Sequence, residues 1–484
     1  MGELSRDRTQ SLPSSNQTHD DAAGNDPSPL ALVEPCLVLA LEGDRPLAGG
    51  ARFSMAGVHE VVIGRGPARR ATRQTHDGIT TLSIEVPARS LSLRHARIVR
   101  AREHWILEDT NSRNGSFMDG HPVQRSAWNE RSVVQLGHVF FLLRNAFAPR
   151  DVPLTLDALE LEHDPEGLRT LVPARARAFE RLQRVARAGL PIWLDGEPGS
   201  GKELVARGIH AMTGREGAFV PVSCPAVSSG LATTSDTEGG MSHVASICRA
   251  ADKGSLFLDE IGDLPEPAQT TLLQVLQHSV SPGESADPSK SDVLIISATR
   301  LHAATDPTGR SPLRADLLAR LSGHVLTVPP LRERLEDMGL VIADALRLAG
   351  LDRAASTRIT PAAGTALLAY RWPLNIRELK HVLLSSLALS QDGVIHLEHL
   401  PEAIAAAVPR AGAIVPAEPA VADNPLSDEA RRLRAALLAA LREHYGNVAA
   451  VARAMHKAPM QIHRWVKRFG IEPKDFRPPR RAHY

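Results

Sequence analysis

The sequence predicts a multidomain chain: an all-β sandwich, then an α/β domain built around a phosphate-binding loop, then an all-α C-terminal domain. Three observations lead there. Short β-rich runs separated by turn residues fill the first third of the chain, a spacing that suits a sandwich. The run from Ile192 to Glu203, I-W-L-D-G-E-P-G-S-G-K-E, is apolar and then breaks into a glycine-rich turn ending on lysine, which reads as strand, phosphate loop and helix start. Helix-period runs with a basic excess close the chain, where residues 431–484 hold thirteen Lys/Arg against only Glu443, Glu472 and Asp475.

Size and composition bound the alternatives. With 484 residues, 43% hydrophobic and 23% charged, the chain has room for about three domains at about 150 residues each. No uninterrupted apolar stretch approaches the roughly 20 residues of a membrane span, and M-G-E-L-S-R-D-R lacks a signal peptide's apolar region, so a cytoplasmic protein without a membrane partner is expected. Cys36, Cys224 and Cys248 are odd in number and form no C-x-x-C pair, which points to buried thiols rather than a disulfide framework or a zinc site.

Residues 1–34 are polar and rich in Ser, Pro and Asp, too poor in apolar residues to pack, and are expected to be a disordered leader. From 35 to 148 the runs C-L-V-L-A-L, H-E-V-V-I-G-R, H-A-R-I-V-R, H-W-I-L-E-D, S-V-V-Q-L and H-V-F-F-L-L-R read as strands. Within them I-G-R at Ile63–Arg65, S-L-R-H at Ser92–His95 and D-T-N-S-R-N-G-S at Asp109–Ser116 resemble the forkhead-associated (FHA) domain, a phosphothreonine-binding sandwich. The resemblance implies that Arg65 and Ser92 hold the phosphate, Arg113 lies at its edge, Asn114 hydrogen-bonds the ligand backbone and His95 braces the loop. A doubly charged phosphate wants a guanidinium and hydroxyl or amide donors on loops held by a rigid sheet. The Arg-rich insertion Pro67–Asp77 departs from the pattern, and is expected either to alter ligand preference or to be a mobile loop.

Residues 149–168, with Pro149, Pro153 and Pro165 amid acidic residues, read as a linker into a second domain at 169–405. There the candidate nucleotide-binding residues are Gly196, Glu197, Pro198, Gly199, Ser200, Gly201, Lys202 and Glu203. The glycines let backbone N–H groups converge on an anion, and Lys202 adds positive charge beside the outer phosphates. Glu203 stands where the general motif has the Ser or Thr that binds magnesium, so an acidic partner is needed elsewhere. G-S-L-F-L-D-E at Gly254–Glu260 supplies it: Asp259 as the Mg2+ ligand, Glu260 to polarise the attacking water.

With L-F-L-D-E-I-G-D-L-P, V-P-P-L-R-E-R and W-P-L-N-I-R-E-L added to that loop, residues 169–405 resemble the AAA+ domain and helical lid of bacterial sigma-54-dependent enhancer-binding activators. Members of that family form rings and couple ATP hydrolysis to the opening of promoter complexes. The resemblance implies Arg314 and Arg320 as fingers reaching a neighbouring subunit and Arg377 as the sensor in the lid. It also implies ATP and Mg2+ as cofactors, a homo-oligomeric ring and a contact with sigma-54 RNA polymerase. Three departures stand out. Between Cys224 and Gly254 the family's E-L-F-G-H-E and G-A-F-T-G-A are both missing, Ser223 replaces an Asn that restrains the catalytic Glu, and Arg300 stands where a sensor Asn usually follows Ala-Thr.

An Ala/Pro-rich stretch, 406–426, reads as an extended linker, and 427–484 as three helices. The last two resemble a Fis-type helix-turn-helix, with Asn447 as cap, Ala450 and Ala454 as small packing positions and a recognition helix from Pro459 to Phe469. Gln461, His463, Arg464, Lys467 and Arg468 are the DNA-binding candidates, and Ile462, Trp465, Val466 and Phe469 form its buried side. Two readings stay open: a DNA-binding, ATP-binding transcriptional regulator of the sigma-54 type controlled by a phosphothreonine protein, or a regulator that uses ATP only to set its oligomeric state.

Overall fold

The computed structural model describes residues 32–101, 104–148, 155–224, 246–264, 266–281, 291–300 and 313–408, with 437, 440–441, 443–444, 447–455, 457 and 461–462 beyond them. The chain divides into two units, 1–411 and 412–484.

Twelve strands of the first unit, counted among the described residues, build the sandwich: β1 (Leu32–Glu42), β2 (Ala51–Ser54), β3 (Glu60–Arg65), β4 (Arg70–His76), β5 (Ile79–Val86), β6 (Ala96–Ala101), β7 (His104–Asp109), β8 (Ser116–Met118), β9 (His121–Val123), β10 (Arg125–Trp128), β11 (Val133–Leu136) and β12 (Val139–Ala148). One sheet runs β10-β7-β6-β3-β5-β4 and the other β2-β1-β12-β11-β8-β9, with β13 (Leu156–Asp157) added outside β2. Leu37, Leu39, Ile63, Ile84, Ile98, Leu107, Phe141 and Leu143 fill the space between them.

Two stretches differ from expectation. The insertion Pro67–Asp77 is not a loop: most of it forms edge strand β4, paired antiparallel to β5. Its Arg69 is drawn inward instead, where the guanidinium meets Glu42 at 2.6 Å and Asp157 at 2.9 Å. Asp157 lies in the stretch read as a linker. That stretch, described from residue 155, pairs with β2 and then forms a 3-10 turn over Ala158–Leu161, where Asp157 accepts from Leu159 N and Glu160 accepts from Asp157 N.

The α/β domain is a parallel sheet ordered β15-β16-β19-β14-β20, with β14 (Ile192–Asp195), β15 (Phe219–Ser223), β16 (Ser255–Asp259), β19 (Leu294–Thr299) and β20 (His324–Thr327). A two-residue pair, β17 (Val280–Ser281) with β18 (Ser291–Asp292), stands apart. Strands buried on both faces read as continuous apolar runs, which is why I-W-L and L-F-L stand out in the sequence. Around the sheet lie α1 (Pro173–Arg187), α2 (Lys202–Thr213), α3 (Glu266–Ser279) and α4 (Ala315–Leu321); the lid follows as α5 (Met338–Arg347), α6 (Leu351–Ser356), β21 (Arg358–Ile359), α7 (Pro361–Ala369), α8 (Asn375–Leu389), β22 (Val394–Ile395) and α9 (Glu402–Ala405).

Sandwich and lid share one core. On β1, Leu37 and Leu39 face the sandwich interior while Cys36, Val38 and Ala40 face the lid, and on β12 Phe141 and Leu143 face inward while Phe140 and Leu142 face the lid. A register shift between Leu39 and Leu41 pairs Leu41 with Phe140 on the lid side. These meet Met338, Ile342, Ala363, Ala366, Leu367 and Trp372 in a single apolar cluster. Contact is close enough to require glycine, because a Cβ on Gly364 would lie 2.5 Å from the Phe140 ring and one on Gly339 2.6 Å from Ala40 O. Polar bonds ring it: Arg144 to Glu336 at 2.6 Å, Thr365 Oγ1 to Gln135 Oε1 at 3.1 Å, Ile359 N to Gly43 O at 2.7 Å, and the buried Arg52 to Leu171 O. Phe140→Ala, emptying a site only 1% exposed, is expected to cost about 3–5 kcal/mol and to loosen sandwich from lid. Thermal unfolding and limited proteolysis would measure it, and an unchanged midpoint would exclude a stable junction.

In the second unit α10 (Val448–Ala454) starts on Asn447, whose side chain accepts from Ala450 N at 3.3 Å, an N-cap as the sequence suggested. Leu437, Leu441, Val451, Ala452 and Ile462 form a small core. The packing positions are therefore Val451 and Ala452, and Ala454 is exposed.

Candidate functional site

The phosphate loop leaves the carboxyl end of interior strand β14, the edge at which open parallel sheets take ligands. Gly199 and Gly201 sit at φ +73° and +98°, and a Cβ on Gly199 would lie 2.1 Å from Leu374 O. Side chains are therefore excluded where the loop turns. Lys202 opens α2 and is almost buried; its Nζ donates to Gly196 O at 2.7 Å and Glu197 O at 3.1 Å. Burial pushes its pKa down, and the charges of Asp259, Asp195 and Glu260 act against that.

The lid clasps this loop. Ile376 N donates to Gly199 O at 2.9 Å, Asn375 Nδ2 reaches Glu197 Oε2 and Pro198 O at 3.1 Å each, and Asn375 Oδ1 accepts from Leu331 N at 2.8 Å. Arg332 meets Glu197 at 2.8 Å and brings its carboxyl down to about 2. Arg334, buried, donates to Ser200 O at 2.5 Å. Desolvation brings the pKa of Arg334 to about 9. Among the described residues the buried Ser200 hydroxyl has no hydrogen-bond partner. An orphaned hydroxyl, a buried ammonium and the backbone N–H groups of a turn whose glycines admit no side chain are a donor set that fits phosphate oxygens. Glu203, by contrast, is half exposed and pairs with Arg207 at 2.7 Å, one helical turn on.

Asp259 and Glu260 end β16, separated from β14 by β19. Burial raises the pKa of Asp259 and Lys202 opposes it, so the two groups share one electrostatic site. Glu260 adopts φ +55°, with its N–H on Asp259 Oδ1 at 3.1 Å. Arg300 Nη2 lies 3.3 Å from both Glu260 Oε1 and Asp263 Oδ2. The sequence marked Arg300 as a departure without showing its partners. Ser223 aligns with Asp259 across β15 and β16.

Arg314 precedes α4 and pairs with Asp316 at 2.8 Å, while Arg320 Nη2 donates to Leu276 O at 2.7 Å. Both are held on their own chain's surface beside α3. Arg377 is exposed on the first turn of α8, its Cβ 3.1 Å from where a Cβ on Gly199 would stand. Of the segment between Cys224 and Gly254 that lacks the two family motifs, residues 225–245 lie outside the described residues, as do His463, Arg464, Trp465, Val466, Lys467, Arg468 and Phe469; Gln461 is exposed and Ile462 buried.

The sandwich gathers its four candidates at one end. Arg65 N donates to Ser92 O at 2.9 Å, Arg113 N to Ser92 Oγ at 3.0 Å, and Asn114 Nδ2 to Ser90 O at 2.7 Å. Ser92 Oγ, accepting from Arg113, keeps its own O–H to donate. Gly64 admits the loop, since a Cβ there would lie 1.9 Å from Leu93 O. Buried His95 accepts from Ser92 N at Nδ1 (3.2 Å) and contacts Gly115 O through Nε2 (3.1 Å), so it ties both loops together; burial lowers its pKa. Burial pushes the Asp109 carboxyl up, but bonds from Ser112 and Ser116 outweigh it and hold it below the usual range.

Sequence reading missed the seat of the sandwich on the lid. A signal existed: C-L-V-L-A-L and V-F-F-L-L are apolar without interruption, whereas an antiparallel strand with one wet face alternates.

Family comparison gives the Sigma-54 interaction domain over residues 170–327, the AAA+ ATPase lid domain over 332–414 and the FHA domain over 61–137. The chain is 34% identical to response regulator protein PilR of Pseudomonas aeruginosa over 70% of this chain and 76% of that one. It is also 34% identical to the acetoin catabolism regulatory protein of Cupriavidus necator, over 64% of this chain and 48% of the relative. A further 34% match, to the anaerobic nitric oxide reductase transcription regulator NorR of an Enterobacter species, covers 62% of each. The chain thus spans about half the length of the acetoin regulator. Among solved structures, NtrX from Brucella abortus in complex with ATP is 26% identical over 65% of this chain and 71% of that one, with a TM-score of 0.40. The chain belongs to the family of sigma-54-interaction AAA+ transcriptional regulators, and it carries an FHA domain ahead of that AAA+ core.

Proposed function

We propose that the chain is an ATP-binding, DNA-binding bacterial transcriptional regulator whose FHA domain reads a phosphothreonine protein and whose AAA+ domain hydrolyses ATP as a homo-oligomeric ring. The observation that carries the reading is the loop Gly196–Lys202, with its orphaned Ser200 hydroxyl and its buried lysine electrostatically joined to Asp259 and Glu260. Lys202 and the loop N–H groups bind and orient the phosphates, Glu260 takes the proton of the attacking water, and ADP leaves as the γ-phosphate is transferred. Asp259 is the residue that would hold Mg2+, whose charge would offset that of the phosphate oxygens. Arg314 and Arg320 serve a neighbouring subunit, which requires each to exchange its present partner for phosphate, and Arg377 senses nucleotide from the lid.

On the sandwich, Arg65, Ser92 and Arg113 hold the phosphate and Asn114 the peptide backbone. Arg65→Ala removes a charge-assisted contact of about 1.5–3 kcal/mol, so phosphothreonine-peptide affinity is expected to fall about 10- to 100-fold, with nucleotide affinity unchanged. Titration with phosphorylated and unphosphorylated peptides checks this, and equal affinity for both in the unmutated protein would remove the phosphate site. DNA binding is assigned to Gln461, His463, Arg464, Lys467 and Arg468 from the basic excess of residues 431–484.

A second reading has its own support. Arg300 engages Glu260 and Asp263, and the sequence lacks G-A-F-T-G-A, the loop by which the family touches the sigma factor, which favours a regulator that uses ATP for oligomerisation and acts independently of sigma-54. ATP-dependent open-complex formation by sigma-54 RNA polymerase at a bound promoter separates the two: robust opening supports the first reading and excludes the second.

A further inference from the structure

A run of hydrogen bonds leads from the phosphopeptide end of the sandwich across the sandwich–lid junction to Ile359, and close packing within the lid continues from there to the nucleotide loop. Asn114 Nδ2 donates to Ser90 O at 2.7 Å. The same residue's hydroxyl donates to Asp44 Oδ2 at 3.2 Å and accepts from His138 N at 3.1 Å. Asp44 Oδ1 meets His138 Nδ1 at 2.6 Å, and that pair holds the Asp44 carboxyl below its ordinary pKa. His138 O accepts from Gly43 N at 2.8 Å, and Gly43 O accepts from Ile359 N, in the lid, at 2.7 Å.

There is no slack along this run. A Cβ on Gly137 would stand 2.6 Å from Ser90 O, and one on Gly43 would stand 2.4 Å from Ile359 O. Ile359 ends β21 two residues before α7, whose Gly364 lies against Phe140. After α7, Trp372 is fully buried, and Leu374 to Ile376 form the clasp on the phosphate loop. Displacement at Ser90 therefore has a close-packed route to Gly199, because interiors of this density transmit strain rather than absorb it.

We propose that Ser90, Asp44 and His138 form a relay through which a phosphothreonine peptide seated on Asn114 changes nucleotide affinity at the loop clasped by the lid. The relay residues touch neither ligand; they are positioning residues. The proposal rests on the assignment of the two ligands above. Coupling between sites is reciprocal, so nucleotide must change peptide affinity by the same factor that peptide changes nucleotide affinity.

The test uses the full chain, a non-hydrolysable ATP analogue, and a phosphothreonine peptide selected on the unmutated protein from a degenerate library. Each ligand is first titrated alone, and failure of either to bind overturns the assignment of that site and the relay with it. In the unmutated protein each ligand is expected to shift the other's Kd by about fivefold or more. Asp44→Ala is expected to keep both separate affinities and bring that factor close to one. Asp44→Asn, which retains an acceptor for Ser90, is expected to restore part of it. Thr365→Val, cutting the bond to Gln135 elsewhere on the junction, is expected to leave it intact. No coupling in the unmutated protein, full coupling in Asp44→Ala, or equal loss in Thr365→Val would each overturn the relay.

Discussion

Lys202→Ala is expected to abolish measurable ATP binding, with affinity falling at least about 100-fold. Its ammonium, almost buried at the start of α2, is bonded to the carbonyls of Gly196 and Glu197. These are loop oxygens, and phosphate oxygens compete with them for the same three N–H donors. Removing the side chain deletes a charge-assisted contact worth about 1.5–3 kcal/mol and also the bonds that gather the loop. Two such losses exceed a hundredfold, at tenfold per about 1.4 kcal/mol. Fluorescence titration with a labelled ATP analogue reads the change. The lid would hold the fold of the variant, since Ile376, Asn375 and Arg334 bind the loop independently of Lys202. Unchanged affinity would sink the assignment of this loop to nucleotide.

Much of the site was legible because its information is local. The loop Gly196–Lys202 and the pair Asp259–Glu260 each occupy one turn of chain at the end of a buried strand, and turn chemistry is written in consecutive residues. The same holds at Ser92, Arg113 and Asn114, whose loops His95 ties together. The junction between sandwich and lid was harder, because no motif marks it. Its contacts join residues such as Gln135 to Thr365 and Gly43 to Ile359, and specificity resides in small residues, Gly43, Gly339 and Gly364, whose role emerges only when a neighbour stands where a Cβ would. The segment 149–168 illustrates the same limit. Its prolines and acids resemble a linker's, yet Asp157 is fixed by Arg69, a residue the sequence placed in an unrelated insertion.

Glu260→Gln is expected to leave ATP affinity within about twofold and to lower turnover by about 10²- to 10⁴-fold, the range of a lost general base. The carboxylate now faces Arg300, which it shares with Asp263 at 3.3 Å each. Both acids and the arginine are well exposed, so the pairs are weak and exchangeable: solvent screening leaves exposed ion pairs about 0–1 kcal/mol. A γ-phosphate would compete for the same guanidinium, and Glu260, released from it, would be the group left to accept the water's proton. Glutamine preserves shape and a hydrogen-bond acceptor but supplies no base, so the loss should fall on kcat and spare KM. Arg300→Ala separates the remaining possibilities by sign. If Arg300 chiefly restrains Glu260, turnover rises in the single variant and stays at the floor in Arg300→Ala combined with Glu260→Gln; if it chiefly stabilises the transferring phosphate, turnover falls in the single variant. Equal turnover by Glu260→Gln and the unmutated protein would remove Glu260 as the base.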